Sequence, residues 1–407
     1  MRIGKFAEGN KLSIDTIRHY MDLELILPEK QGGQYYFDKK CQNALNELIG
    51  LKSMGFSLNE IKTIFLFRNL GKLTPYQEDE YYKSFFSNKH KNIEQEICKL
   101  SEIKLKLEEK MKELSKEESK NKYRIGINIK SLGLFRCLKC QGELMLSDGN
   151  IANNEIIDGK LSCNCGEEYL IKSGILVVKN KHIEEQFKGH YDYDYIREYI
   201  NVTDTEFLSN IYRGLQWIEN KVDFTSFSNK VLLELGSGMG IFLRYVYDKL
   251  PEDCLYIAVD HDINRHNLVK NMLEMADCKR NIIFICSDFL KVPIKEKSVD
   301  VLIDYSGTTN YSFKSSDFLL ELVDRYIKDK ASLLGAYILF KNFSINSLIE
   351  EKYRKNFIFK NVKEGISKLK YTSIDDRTSD YIDKGGKYEN FFVKGEKIYS
   401  YMVNAKR

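Results

Sequence analysis

The stretch Glu234-Leu235-Gly236-Ser237-Gly238-Met239-Gly240, set directly behind the apolar run Val231-Leu232-Leu233, constrains this chain more than any other feature. A strand that opens into a glycine turn lets the backbone approach a ligand closely. Twenty residues past Gly240, Asp260 ends a second apolar run, Leu255-Tyr256-Ile257-Ala258-Val259. Two parallel strands would bring the glycine turn and the carboxylate to one sheet edge, the geometry of a nucleoside crevice. Residues 281–289 and 299–305 read as a third and a fourth strand, ending at Asp288-Phe289 and Asp304-Tyr305. An α/β domain whose glycine turn and acids are merely structural is the competing reading.

The spacing narrows the choice of nucleoside. A dinucleotide fingerprint needs its third glycine one place later, where this chain has Ile241. Glu234 at the head of the turn would repel a pyrophosphate but could hold a cationic ligand. The arrangement resembles motif I of class I S-adenosylmethionine-dependent methyltransferases, which implies a Rossmann-like, mostly parallel seven-stranded sheet. By that resemblance Glu234, Gly236, Ser237, Gly238 and Gly240 surround the cofactor, and Asp260, followed by His261, accepts from the ribose hydroxyls. Asp288 would read the adenine amino group, with Phe289 stacked near its ring. Asp304 and Asn310 would orient an acceptor or the cofactor's amino group. In related enzymes a helix ahead of the glycine turn folds over the cofactor, so Tyr191 or Tyr193 of the aromatic segment 187–195 lines the methionine pocket or simply packs. The fourth strand lacks the proline-rich element with which exocyclic-amine methyltransferases grip a base, and the chain has no Pro-Cys pair, which argues against ordinary DNA modification. No catalytic residue can be named, because transfer from a sulfonium is driven by alignment and desolvation and often needs no base.

Four of the nine cysteines form close pairs, Cys137-Leu138-Lys139-Cys140 and Cys163-Asn164-Cys165, 22 residues apart. Four thiolates from two turns fit a tetrahedral, fully closed and therefore structural zinc site. A redox pair is the weaker alternative, since no thioredoxin-like context surrounds it. The flanking sequence resembles the zinc ribbons placed before some RNA methyltransferases. From residue 121 to 142 there are five basic residues (Lys122, Arg124, Lys130, Arg136, Lys139) and no acid, which suits either a phosphate-facing patch or a solvated linker. Charged residues make up 30% of the chain against 43% hydrophobic, and the apolar stretch 331–340 is half the length a bilayer needs, so a globular protein without a membrane span is expected. The scattered free thiols suit the cytoplasm.

At the N-terminus, two short helices joined by a Gly9-Asn10 turn, the second entered through Ser13, read as a helix-turn-helix. A Gly32-Gly33 turn with aromatic flanks follows, then a segment with Leu45, Leu48 and Leu51 on one face, then a new helix capped at Ser57. From residue 2 to about 70 this order is similar to MerR-family regulators, with Thr16-Ile17-Arg18-His19-Tyr20 standing at the family's recognition helix. The resemblance implies that Ser13, Thr16, Arg18 and Tyr20 contact double-stranded promoter DNA and that the wing touches phosphate. Where the family's wing usually carries arginine, this chain has Tyr35, and Lys30, Lys39 or Lys40 would have to supply the charge. Residues 88–120 contain no Gly, Pro or aromatic residue, and nine lysines nearly balance eight glutamates. Ile93, Ile97, Leu100, Ile103, Leu107, Met111 and Leu114 recur every three or four places, a seam that a lone helix cannot cover. Family members pair through such a helix as antiparallel homodimers; packing on its own chain is the competing view.

The expected organisation is therefore a winged helix-turn-helix at 1–75, a coiled-coil dimerisation helix at 76–120, a zinc ribbon at 121–180 and a class I methyltransferase domain at 181–407. Three functions remain open: a DNA-binding regulator carrying a methyltransferase for a small molecule, a regulator that senses S-adenosylmethionine without catalysis, and an RNA methyltransferase with an accessory DNA-binding domain.

Overall fold

The computed structural model describes residues 1–71, 75–115, 123–178 and 193–407. They fall into two compact units, residues 1–118 and 119–407.

In the first unit, α1 (Ile3–Gly9) and α2 (Ile14–Asp22) form the helix-turn-helix. The Ser13 hydroxyl caps α2 by accepting the Thr16 N–H at 3.0 Å. Strands β1 (Glu29–Gln31) and β2 (Gln34–Tyr36) close through Gly32 and Gly33, whose φ of +56° and +82° belong to the left-handed region that a two-residue hairpin turn requires. Helices α3 (Lys39–Ser53) and α4 (Leu58–Gly71) follow. Ser57 and Glu60 open α4 as a reciprocal capping box: the Ser57 N–H donates to Glu60 at 2.6 Å and the Glu60 N–H to the Ser57 hydroxyl at 3.3 Å. Phe6, Ile17, Leu45, Leu48 and Ile61 fill the core, with Phe6 stacked on Phe37 at 4.4 Å. Helix α5 (Pro75–Ser115) has 41 residues and so runs about 60 Å. It begins earlier than the run that lacks Gly, Pro and aromatic residues, and residues 116–120 lie outside the described residues. Its seam is bare: Ile97, Leu100, Leu107 and Leu114 are all more than half exposed.

The second unit is organised by one sheet. Strands β8 (Val231–Leu235), β9 (Leu255–Asp260), β10 (Asn281–Cys286), β11 (Val299–Tyr305) and β12 (Ile327–Asn342) run parallel in the order β10-β9-β8-β11-β12. Strand β14 (Lys397–Lys406) then inserts antiparallel between β12 and the edge strand β13 (Thr372–Thr378). Those are the seven strands the sequence implies. The sheet does not stop there. Beyond β10 it continues through the cysteine-bearing region as β7 (Ile175–Val177), β6 (Glu168–Lys172), β5 (Glu155–Ser162) and β3 (Ile127–Asn128), with β4 (Met145–Ala152) also paired to β5, giving twelve strands in all among the described residues. The join is a parallel pairing of Ile175, Leu176 and Val177 with Phe284, Ile285 and Cys286. One hydrophobic core spans the join, with Phe135, Leu144, Leu161 and Tyr169 packed together with Leu233, Val259, Ile285 and Leu302.

Polar contacts fix the same junction. In helix α9 (Ile263–Glu274), buried Lys270 and Glu274 pair at 2.6 Å, and the same carboxylate oxygen accepts the Ile125 N–H at 2.8 Å. Among the described residues no helix is long and apolar enough to cross a membrane. Glu274→Ala strands a buried ammonium and a buried amide together, so it should lower stability by about 3–5 kcal/mol. An unchanged urea midpoint would show that the junction does not depend on this pair.

Candidate functional site

The turn after β8 needs three residues in the left-handed region, and all three are glycines: Gly236, Gly238 and Gly240 have φ of +70°, +54° and +66°. The tip of β9 holds this turn. The Val259 carbonyl accepts from Gly236 and Ser237 at 2.9 and 3.0 Å, and Asp260 Oδ2 accepts the Gly238 N–H at 2.9 Å. Asp260 Oδ1 accepts the Asp262 N–H, also at 2.9 Å. These amides are spent inside the protein, so the turn offers no ready cradle for a pyrophosphate. What it offers instead is acceptor capacity. Glu234 is buried beside the Tyr256 hydroxyl, with no cation among the described residues paired to it, and burial pushes the Glu234 carboxyl up to about 8. The Ser237 hydroxyl is buried without a partner among the described residues.

A cavity of about 300 Å³ opens beside this turn. Glu234, Gly236, Ser237 and Gly238 line it, as do Met239, Tyr305, Ser306 and Asn310. Ser306 turns the chain out of β11 in the left-handed region, at φ +68°, a strained conformation of the kind that gathers at functional sites. Gly240 stands behind the turn, where a Cβ would come within 2.8 Å of Val269. His261 keeps Nδ1 3.6 Å from Asp260 Oδ1. Asp260, His261, Asp288 and Phe289 are not among the cavity's lining residues: Asp288 Oδ1 accepts the Leu290 N–H at 2.9 Å, and the Phe289 ring packs against Gly236. Asp304 departs from its expected place. It is fully buried and both of its oxygens accept from Thr308, the N–H at 2.8 Å and the hydroxyl at 2.5 Å. Burial raises its carboxyl to about 6. It therefore anchors α10 (Gly307–Ser312) instead of orienting a ligand in the cavity. Tyr191 lies outside the described residues, and nothing is described of the Tyr193 side chain.

The opposite wall was not foreseen. It comes from α6 (Tyr193–Val202), α7 (Thr205–Lys221) and the segment between β13 and β14, which contribute Tyr199, Phe207, Asn210, Tyr388, Glu389 and Phe391. Tyr337 of β12 adds a buried ring whose hydroxyl lies beside the Asp304 carboxyl. The aromatic density of Tyr388-Glu389-Asn390-Phe391-Phe392 behind Gly385-Gly386 was the available signal.

The sulfurs of Cys137, Cys140, Cys163 and Cys165 all lie within 4.8 Å of one another, with Cys137–Cys165 at 3.5 Å and Cys140–Cys163 at 3.4 Å. Tetrahedral Zn–S bonds of about 2.3 Å place sulfurs roughly 3.8 Å apart, so the cluster is compatible with a metal. Burial opposes ionisation of Cys137, but hydrogen bonds from the Cys140 and Lys139 amides, Tyr169 and Cys165 together outweigh it and bring the thiol down to about 6. Among the basic residues nearby, Arg136 pairs with Glu143 and Lys139 with Glu167, at 3.4 and 3.5 Å, while Lys122 lies outside the described residues.

On α2, Ser13 and Thr16 share a hydrogen bond at 2.8 Å, and Arg18 stands exposed, paired at 3.2 Å with an exposed Asp15. Such a pair is weak and yields readily to a phosphate. Tyr20 corrects the expectation of a DNA contact: it is 3% exposed within the core, its hydroxyl accepting from Lys52 at 3.4 Å, because its position on α2 faces inward with Ile17. Tyr35 is exposed on the wing with Lys30 Nζ 5.6 Å from its ring centroid, which places a charge beside it.

Residues 1–67 match the family model "MerR HTH family regulatory protein". Comparison with curated proteins finds no match. Among solved structures, the chain is similar to a SAM dependent methyltransferase from Aquifex aeolicus (16% identity over 53% of this chain and 98% of that chain, TM-score 0.34). It is also similar to SAM-dependent methyltransferases from Methanosarcina mazei (13% identity, 47% and 96%, TM-score 0.33). A third likeness is to Haemonchus contortus phosphoethanolamine N-methyltransferase 2 in complex with S-adenosyl-L-methionine (13% identity, 47% and 52%, TM-score 0.33). Residues 1–67 thus form a MerR-type helix-turn-helix domain, and the second unit is built on a mixed, largely parallel sheet.

Glu234 supplies a test of the site's electrostatics. Its carboxyl moves from an ordinary 4.5 to about 8 on folding, so the folded protein holds the proton and loses stability as pH rises through that window. Between pH 7 and 8, above the ranges of Asp304 and His266, the slope from this group falls from about 1.2 to about 0.7 kcal/mol per pH unit. Glu234→Gln should flatten it in thermal melts of the ligand-free protein; parallel slopes would mean the carboxyl is already ionised.

Proposed function

We propose that this chain is a MerR-type DNA-binding regulator whose second unit is an S-adenosylmethionine-dependent methyltransferase acting on a small molecule. The observation that carries the reading is the cavity at the end of β8, lined by the buried carboxyl of Glu234 and by Ser237, whose buried hydroxyl has no partner among the described residues. A polar group buried without a partner is costly, and its persistence points to a ligand that satisfies it. Glu234 would accept from the cofactor's ammonium group and Ser237 would bond its carboxylate. Asp260, with one backbone N–H on each oxygen, retains lone pairs for the ribose hydroxyls. Asp288 and Phe289 would flank the adenine. When bound, S-adenosylmethionine supplies a methyl group on a sulfonium; the cavity's apolar walls exclude water and align the acceptor.

The first unit would read promoter DNA through Ser13, Thr16 and Arg18 of α2, with Tyr35 and Lys30 on the wing. Two copies would pair through the bare seam of α5, covering residues such as Leu100 and Leu107 and matching a two-fold symmetric operator. The four thiolates would hold one structural zinc ion, since every ligand position is filled by protein.

Incubation with tritiated S-adenosylmethionine and a panel of metabolites, antibiotics and ribosomal RNA tests the enzymatic half. Label is expected in a small molecule; label in RNA alone would refute that acceptor class, and cofactor binding without any label would favour the sensor. In calorimetry, Asp260→Ala should weaken S-adenosylhomocysteine at least roughly tenfold. Arg18→Ala should abolish the salt-sensitive shift of the protein's own promoter and leave that affinity intact. Elemental analysis should find one zinc per chain, and Cys163→Ser should remove it and lower the melting temperature; a metal-free wild type of equal stability would exclude the zinc site.

A further inference from the structure

The cavity extends well past the glycine turn, and its charge is one-sided. Among the described residues no lysine, arginine or histidine lines it; apart from tyrosines, the titratable groups described there are the carboxyls of Glu234 and Glu389. Glu389 is 5% exposed, and its Oε2 accepts the Gly386 N–H at 3.1 Å. No cation among the described residues pairs with it. The Tyr199 hydroxyl lies beside it, and Tyr388, Phe391 and Phe207 complete the wall.

This wall is built and held. Lys387 reaches Glu198 of α6 at 2.7 Å. The Tyr388 ring meets Tyr195 at 5.6 Å and Tyr199 at 5.7 Å. Gly386 packs so closely on α6 that a Cβ there would stand 2.4 Å from the Val202 carbonyl. Tyr337 of β12 also lines the cavity, its ring buried and its hydroxyl beside the Asp304 carboxyl. A carboxylate among aromatic faces attracts a cation twice over, by charge and by the rings' quadrupoles, and repels an anion.

We infer that the half of the cavity walled by Glu389, Tyr199, Tyr388 and Phe391 binds an amine: a small molecule with a cationic nitrogen on an apolar, ring-sized body, to the exclusion of phosphate- or carboxylate-bearing compounds. The inference rests on the reading of this cavity as the acceptor site and names the class of acceptor. Glu389 faces the nitrogen, and the rings cover its apolar body. Glu234 serves the other half.

Three probes that share a phenylethyl body test it: phenethylamine, 2-phenylethanol and 3-phenylpropionate, titrated by calorimetry into the full-length protein saturated with S-adenosylhomocysteine. The amine should bind at least tenfold more tightly than the alcohol, and the carboxylate should not bind measurably. Glu389→Gln, whose amide oxygen can still accept the Gly386 N–H, should erase the preference for amine over alcohol and leave S-adenosylhomocysteine affinity and the melting temperature unchanged; Glu389→Asp should restore part of it. Glu234→Gln should do the reverse, weakening S-adenosylhomocysteine and sparing the amine. No binding of the amine, equal binding of the carboxylate, or a preference that survives Glu389→Gln overturns the inference. If the wild type ignores S-adenosylhomocysteine yet still prefers the amine, the methyltransferase reading falls and the amine site stands.

Discussion

The hydrogen bonds between the tip of β9 and the turn after β8 decide what the second unit can bind. With Val259 and Asp260 accepting three successive amides, the glycine turn becomes rigid and its donors are consumed. The chain turns a potential anion site into one with free acceptors, and Glu234 and Ser237 set its polarity. The rest of the site conforms to that choice: among the described residues, the cavity beside the turn is lined by acids, hydroxyls and aromatic rings and by no basic side chain. A ligand entering there meets acceptors at both ends and apolar surface between them. Such a pattern discriminates by charge before it discriminates by shape.

The same strands carry the consequence outward. Strand β9 is central, with β8 on one side and β10 on the other, and β10 in turn receives β7. The cysteine cluster therefore does not sit on a tethered module; its strands share a core with the site-bearing ones. Phe135 and Tyr169, close in sequence to the cysteines, pack in one cluster with Leu233 and Val259, which flank the glycine turn. The Tyr169 hydroxyl also approaches Cys137 Sγ at 3.7 Å, so the core reaches the thiols directly.

How much of this could be read from the chain depended on how local each feature is. The glycine turn, Asp260 and the strands around them follow from short-range patterns: apolar runs of strand length, glycines where φ must be positive, an acid at a strand end. The helix-turn-helix, the Ser57 cap and the cysteine pairs are local in the same sense. Tyr20 misled because a family-like string places it beside Arg18, while the 3.6-residue period puts it on the inner face with Ile17. Asp304 misled because a strand-end acid has two uses, and Thr308, four residues on, claims it for the chain. The extension of the sheet beyond β10 was hidden, since strand pairing between residues 175 and 284 leaves no trace in either segment alone. Glu389 and Tyr199, 190 positions apart, meet only through the fold.

The join between β7 and β10 also bears on how the protein behaves in a crowd. Strand β10 is apolar and buried from Ile282 to Cys286, with no charge, proline or bulge along it. An uncovered strand of that kind is a template on which another chain can grow. The cysteine-bearing region masks it, and because that region's own strands continue outward until they end in the polar, exposed β4, the sheet terminates on a surface that gives a stranger little to grip. Damage to the thiol cluster would thus be felt first as stickiness, with precipitation preceding any loss of the distant pocket.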